Sequence, residues 1–237
     1  MHSSRFTNTI LRNLSEDAIE RLSLRQVVLP RGRNLAQVGQ RIDHLYFLEA
    51  GMGSMTTCFR NGAQVEVSTF GYESVVGVSA LMGAKHSLNR IFMQLDGAGY
   101  SCPLVAARSE FQFNPSFHDL LLRYVQAQLT LSMQNAACNT THSYEQRLAR
   151  WLLICSDRSQ LSRMELAQEY VSEMLGSTRS TVSIAANHLK EKGAIGYSRG
   201  TIIITDRKLL EEESCECYSV VRSHLNNITE FDTDFIT

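Results

Sequence analysis

The stretch Leu166–Lys190, LAQEYVSEMLGSTRSTVSIAANHLK, decides how this chain is read, because it spells two short helices meeting at one glycine. Ala167, Val171, Met174 and Leu175 recur at helical spacing, and Gly176 then stops the run where the backbone must turn sharply. A second helix follows. Thr178 stands where its side-chain oxygen can cap that helix, and Val182, Ala185, Ala186 and Leu189 give it one narrow apolar stripe. Its other face carries Arg179, Ser180, Ser183 and Asn187, polar residues that suit a helix lying in a major groove with its N-terminal side chains against base edges. Directly downstream, AIGYSRGTIIITD gives two strand-like runs, Ile195–Tyr197 and Thr201–Thr205, turned at Ser198, Arg199 and Gly200. This is a wing. A helical hairpin alone occurs in any small helical domain, whereas a hairpin plus a wing is more specific and points to nucleic acid.

Upstream of this stretch the pattern changes twice. Ser15 with Ala18, Ile19 and Leu22 predicts a short capped helix, with Glu16 and Asp17 in its first turn where the helix dipole favours acid. From Val27 to about Leu104, apolar runs punctuated by glycine predict many short strands, a β-roll or barrel, with Asn61-Gly62 as a hairpin turn. Pro115 to about Asn139 then predicts a long helix on which Leu122, Val125, Leu129, Ser132 and Ala136 repeat at three and four. The repeat suits either core packing or self-association, and Leu121 and Met133 lie off it. Asn139–Ser143 breaks the pattern and is a candidate hinge. Ser143 with Gln146 forms a capping box for a helix carrying Trp151, the only tryptophan, and Ser162 with Glu165 offers a second box, which leaves the next helix two possible starts, there or nearer Ala167.

Length and composition bound the function. A chain of 237 residues, 43% hydrophobic and 20% charged, is ordinary for one large or two modest domains. The net charge of -1 argues against indiscriminate polyanion binding, yet Arg179, Lys190, Lys192 and Arg199 cluster around the second helix and wing, and an acidic C-terminal tail follows Lys208 through Glu211, Glu212 and Glu213. Binding to a polyanion should be local and salt-sensitive. The first residues lack the apolar core of a secretory signal, no segment reaches membrane-spanning length, and six cysteines are too few for a disulfide scaffold. These features point to a cytoplasmic protein.

In this order, a glycine-punctuated roll, a long helix, a hinge and a winged helix-turn-helix resemble the family of bacterial transcription factors that includes the cyclic-AMP receptor protein and the fumarate-nitrate regulator. The resemblance covers nearly the whole chain. LPRG with IDHLYFLEAG looks like the family's early roll strands, and MLGSTRSTVS looks like its turn and recognition helix. It implies an α+β fold: residues 1–114 as an N-terminal β-roll (jelly roll) of the cyclic-nucleotide-binding type, 115–142 as dimerisation helix and hinge, and 143–237 as the winged helix-turn-helix domain. It also implies a homodimer on a roughly palindromic site of double-stranded DNA, with RNA polymerase as a candidate partner. Arg179 matches the family's base-reading arginine, able to address guanine O6 and N7 or, alternatively, a phosphate. Ser180 replaces a frequent glutamate. Ser183 and Ile184 would face the groove, and Thr178, Thr181, Ser198 and Arg199 look like phosphate contacts or, equally, cap and turn residues.

The effector pocket is where the sequence departs from the resemblance. Cyclic-nucleotide binders of the family place a glutamate after a glycine for the ribose hydroxyl, and here Gly77 is followed by Val78. Their arginine-serine pair for the cyclic phosphate reads Asn89-Arg90, and of two base-facing hydroxyl positions Ser132 keeps one while Met133 replaces the other. An unpaired buried polar ligand group costs about 1–3 kcal/mol, which argues against a cyclic nucleotide and for another small-molecule effector or none. Neither cofactor nor metal is expected. The iron-sulfur members' N-terminal cysteines have no counterpart before Cys58, and Cys215-Glu216-Cys217 alone supplies two thiolates where a structural metal needs four ligands. Two readings compete: a ligand-sensing protein-interaction module without DNA binding, and a small β-barrel enzyme, for which no His-x-His, G-x-S-x-G or phosphate-binding loop is present.

Overall fold

The computed structural model describes residues 5–60, 62–198 and 200–226. Its contacts define two compact units: one takes the described residues up to Met55, Thr69–Thr130 and those from Ser223, and the other takes Thr56–Ser68 with Leu131–Arg222.

The first unit is a roll fronted by α1 (Glu16–Arg21), whose cap Ser15 accepts from the Ala18 amide. Strands β1 (Arg25–Leu29), β2 (Asn34–Ala36), β3 (His44–Cys58), β4 (Gln64–Phe70), β5 (Val75–Val76) and β6 (Arg90–Pro103) form one sheet in the order β1-β6-β3-β4, with β2 on β6 and β5 on β3; the end of β3 and most of β4 are the strand residues counted with the second unit. β1 runs antiparallel to β6 from Arg25 opposite Ser101 to Leu29 opposite Gly97. A Cβ on Gly97 or Gly99 would collide with the carbonyl oxygen of Ala50 or Phe47, so glycine is what lets β6 approach β3. The predicted turn at Asn61-Gly62 lies partly outside the described residues, but Phe59 donates to the Ala63 carbonyl across it at 2.9 Å. The strand pattern did not foretell α2 (Leu104–Phe113), which follows β6 directly.

The long helix α3 (Pro115–Thr141) ends later than its sequence pattern suggests. The predicted break at Asn139–Ser143 shrinks to His142 and Ser143, because Asn139, Thr140 and Thr141 continue the helix. Its buried face is Phe117, Leu121, Tyr124 and Ala127, which join Leu45, Phe47 and Val75 in the roll's core. The stripe read from sequence is divided: Val125 packs against that core, while Leu122 is 45% and Leu129 49% exposed, with Met133 beside them at 56%.

The second unit is built on α4 (Tyr144–Ser159), with the Ser143–Gln146 capping box fully formed. Trp151 is buried, and its indole Nε1 donates to the Glu66 carboxylate at 2.8 Å. Of the two starts left open for the next helix the one at Ala167 is taken, and the box at Ser162 and Glu165 does not form. Those residues flank and complete β7 (Arg163–Glu165), whose pairing with β9 (Thr201–Ile204) satisfies the backbone and buries Met164, so α5 (Gln168–Met174) starts after Ala167. The expected acidic tail is also structured. Asp206 caps α7 (Arg207–Glu213), and α8 (Cys217–Asn226) follows.

Candidate nucleic-acid interface

Gly176, at φ +61°, ends the first helix of the hairpin, in the left-handed region that a β-carbon disfavours. Thr178 then caps α6 (Arg179–Glu191) by accepting from the Thr181 amide. The cap hydroxyl also meets the hydroxyls of Ser180 and Thr181 at 2.8 and 2.9 Å, so the three form one hydroxyl cluster at the helix N-terminus. Val182, Ala185, Ala186 and Leu189 are all buried, which fixes the rotation of α6 about its axis.

That rotation decides what is left outside. Arg179 and Ser180 are exposed, Ile184 is 58% exposed, and the Arg179 charge acts on the Tyr197 phenol. Ser183 is half-buried and donates to the Gln168 side chain at 2.9 Å, so it presents less of itself than expected. The wing is β8 (Ile195–Ser198) against β9, with Ser198 paired to Thr201 and exposed. Arg199 lies outside the described residues. Of the remaining basic residues, Lys190 is exposed and reaches the Tyr197 carbonyl, but Lys192 is held by two carboxylates, Glu213 at 2.6 Å and Glu145 at 3.0 Å. The hydrogen bond to Glu213, then that to Glu145, raises its pKa. Charge counting along the sequence could not show that one of the four clustered cations is already neutralised.

The expected effector residues do not converge in the same way. Gly77, at φ +93°, lines a cavity of ≈ 120 Å³ with Arg41, Asp43, His44, Tyr46 and Val76. Asn89, Arg90, Ser132 and Met133 are not among its lining residues. Val78 packs against the roll's core, and the Arg90 guanidinium donates to Asn34 at 3.0 Å and lies 4.3 Å over the Phe92 ring.

A different group of side chains does converge. Cys138 and His142, one turn apart at the end of α3, meet Cys215 and Cys217, and their four ligating atoms all lie within 4.8 Å of one another. The three cysteines are buried and free. A hydrogen bond from Cys215 lowers the pKa of Cys138, against the effect of burial and with help from Arg150, while the same bond pushes Cys215 up. The spacing of Cys215 and Cys217 showed only two of these ligands.

Residues 146–213 match the Crp-like helix-turn-helix domain. The chain is 23% identical over 185 residues to the global nitrogen regulator of Nostoc sp., covering 73% of this chain and 82% of that one. Its fold is shared with a crp/fnr family transcriptional regulator from Eubacterium rectale, at TM-score 0.69 and 16% identity over 87% of this chain and 97% of the other. FixK2 from Bradyrhizobium japonicum is similar too, at TM-score 0.69 and 15% identity over 81% and 98%. So is the c-di-GMP responsive global regulator CLP of Xanthomonas campestris, at TM-score 0.64 and 14% identity over 81% and 100%. Among the described residues no helix is long and apolar enough to cross a membrane.

Proposed function

We propose, from the premise that this chain belongs to the CRP/FNR family of transcription regulators, that it reads a roughly palindromic DNA site as a homodimer. In this reading α6 enters the major groove, with Arg179 addressing a guanine and Ser180, Ser183 and Ile184 facing neighbouring base edges. Thr178, Thr181, Ser198 and Arg199 set register on phosphates. The observation that carries the reading is the division of α6 into two faces. Four apolar side chains anchor it, and the opposite face leaves Arg179 and Ile184 projecting outward.

The second copy follows from α3. Leu122, Val125, Leu129, Ser132 and Ala136, with Met133 alongside, form a seam for the same helix of a partner, and two such helices would set two α6 helices about one turn of DNA apart. The effector is a small molecule other than a cyclic nucleotide. Support comes from Val78 packed on the core where a ribose acceptor would be needed, and from Arg90 engaged by Asn34 and Phe92. DNA binding is the protein's only chemistry in this reading, its place is the cytoplasm, and RNA polymerase is the candidate protein partner.

Selection of bound sequences from a random DNA pool tests the reading. It should enrich two inverted half-sites whose centres lie about 10–10.5 base pairs apart. Failure of any sequence to be enriched would refute it.

A further inference from the structure

We propose that Cys138, His142, Cys215 and Cys217 form a tetrahedral site for one divalent metal ion of the zinc class, closing the corner between α3 and α4. Two of the ligands come from the end of α3, where the amide of His142 still bonds to the carbonyl of Cys138 at 3.1 Å. The other two flank Glu216 at the start of α8.

The spacing of the atoms selects the occupant. Zinc-sulfur bonds of about 2.3 Å and zinc-nitrogen bonds of about 2.0–2.1 Å place tetrahedral neighbours roughly 3.5 to 3.8 Å apart. The Cys138 and Cys215 sulfurs are 3.5 Å apart, and Cys217 Sγ is 3.5 Å from His142 Nδ1. Four donors within 4.8 Å surround a single ion, whereas a multi-iron cluster holds its cysteines at the corners of a larger body. Three soft thiolates and an imidazole are also a structural zinc set, closed to any fifth ligand.

The surroundings are those of a metal site. His142 offers Nδ1 to the ligand cluster while its Nε2 lies 3.1 Å from the Glu216 carboxylate, the outer partner that orients a ligating histidine. Gln134 donates to Cys217 Sγ at 2.9 Å, and Arg150 supplies positive charge near Cys138. Packing of thiols as small hydrophobes would account for the burial of the cysteines but not for the directed histidine and its carboxylate. A Cys138–Cys215 disulfide would leave Cys217, His142 and Glu216 without a role.

Binding exchanges thiol protons for the ion, with no change of oxidation state. The full-length protein, reduced and stripped with a chelator, is titrated with cobalt(II) as a spectroscopic probe. The expected result is one cobalt per chain in a four-coordinate, thiolate-rich spectrum, displaced by an equivalent of zinc, with three of the six thiols shielded from alkylation. Cys217→Ser should lose the sulfur-to-cobalt absorption, and Cys58→Ser, at an exposed cysteine, should leave it unchanged. Should Cys217→Ser fail to fold, the wild-type stoichiometry and thiol protection decide alone. An octahedral cobalt spectrum with all thiols reduced, a disulfide forming in place of metal uptake, or an iron-sulfur chromophore in the purified protein would each overturn the proposal.

Discussion

Helices α3 and α6 solve the same packing problem and leave opposite remainders. Each buries one stripe: Phe117, Leu121 and Tyr124 on α3, and Val182, Ala185 and Leu189 on α6. On α3 the face left open is apolar, with Leu122, Leu129 and Met133 about half exposed, and on α6 it begins with the hydroxyl cluster and Arg179. An apolar face left in water is stabilised by covering it with a like surface, while a cationic, hydrogen-bonding face gains most from phosphates and base edges. In the proposed reading the open face selects the partner: a second copy for α3, DNA for α6.

The largest effect should come from reversing the chemistry of the α3 face. The double change Leu122→Glu and Leu129→Glu sets charges against an apolar seam, which costs several kcal/mol where they stay unpaired. The protein should sediment as a monomer at micromolar concentration and lose its palindromic site while keeping its circular dichroism. A persisting dimer would break the comparison.

The two faces of α6 can be set against each other in the same way. Leu189→Ala, on the buried face, should lower unfolding free energy by about 2–5 kcal/mol in a denaturant titration. Ile184→Ala, on the open face, should stay within about 0.5 kcal/mol. Equal losses would mean that the open face is not open. At the start of the helix, Thr178→Ala removes the cap and should cost about 1 kcal/mol.

The smallest effect is a pH dependence in the roll. The Arg21 side chain, hydrogen-bonded to Glu110 and aided by Asn114, holds the Glu110 carboxyl below the usual carboxylate range against the effect of burial. A depressed folded pKa contributes stability that is present above the ordinary value of about 4.3 and lost as pH falls through the folded value. Thermal unfolding followed downward from pH 5 should therefore be less steep in Glu110→Gln than in the wild type. Parallel curves would remove Glu110 from the acid response.

What the sequence made legible is what local chemistry determines. The caps at Ser15, Ser143 and Thr178, the bend at Gly176 and the buried stripe of α6 each depend on residues within a few positions of one another, and all are present. The readings left open or missed lie where a distant partner decides. Ser162 and Glu165 have the spacing of a helix start, but β9, almost forty residues on, makes that segment a strand. Lys192 counts as a free cation until Glu145 and Glu213 are brought to it. Cys138 and Cys215 are 77 positions apart, so no spacing rule joins them, and only the fold reveals four ligands instead of two.

The central claim is that Arg179 reads a base, and a coupling measurement tests it directly. Binding of wild-type protein and Arg179→Ala is measured on the selected site and on sites in which one guanine of each half-site is replaced. Removing either partner of a bidentate contact should cost about 1–3 kcal/mol, and removing both should cost little more than removing one. Strictly additive losses at every guanine would show that Arg179 contacts only the backbone, and the assignment of base reading to this residue would fall.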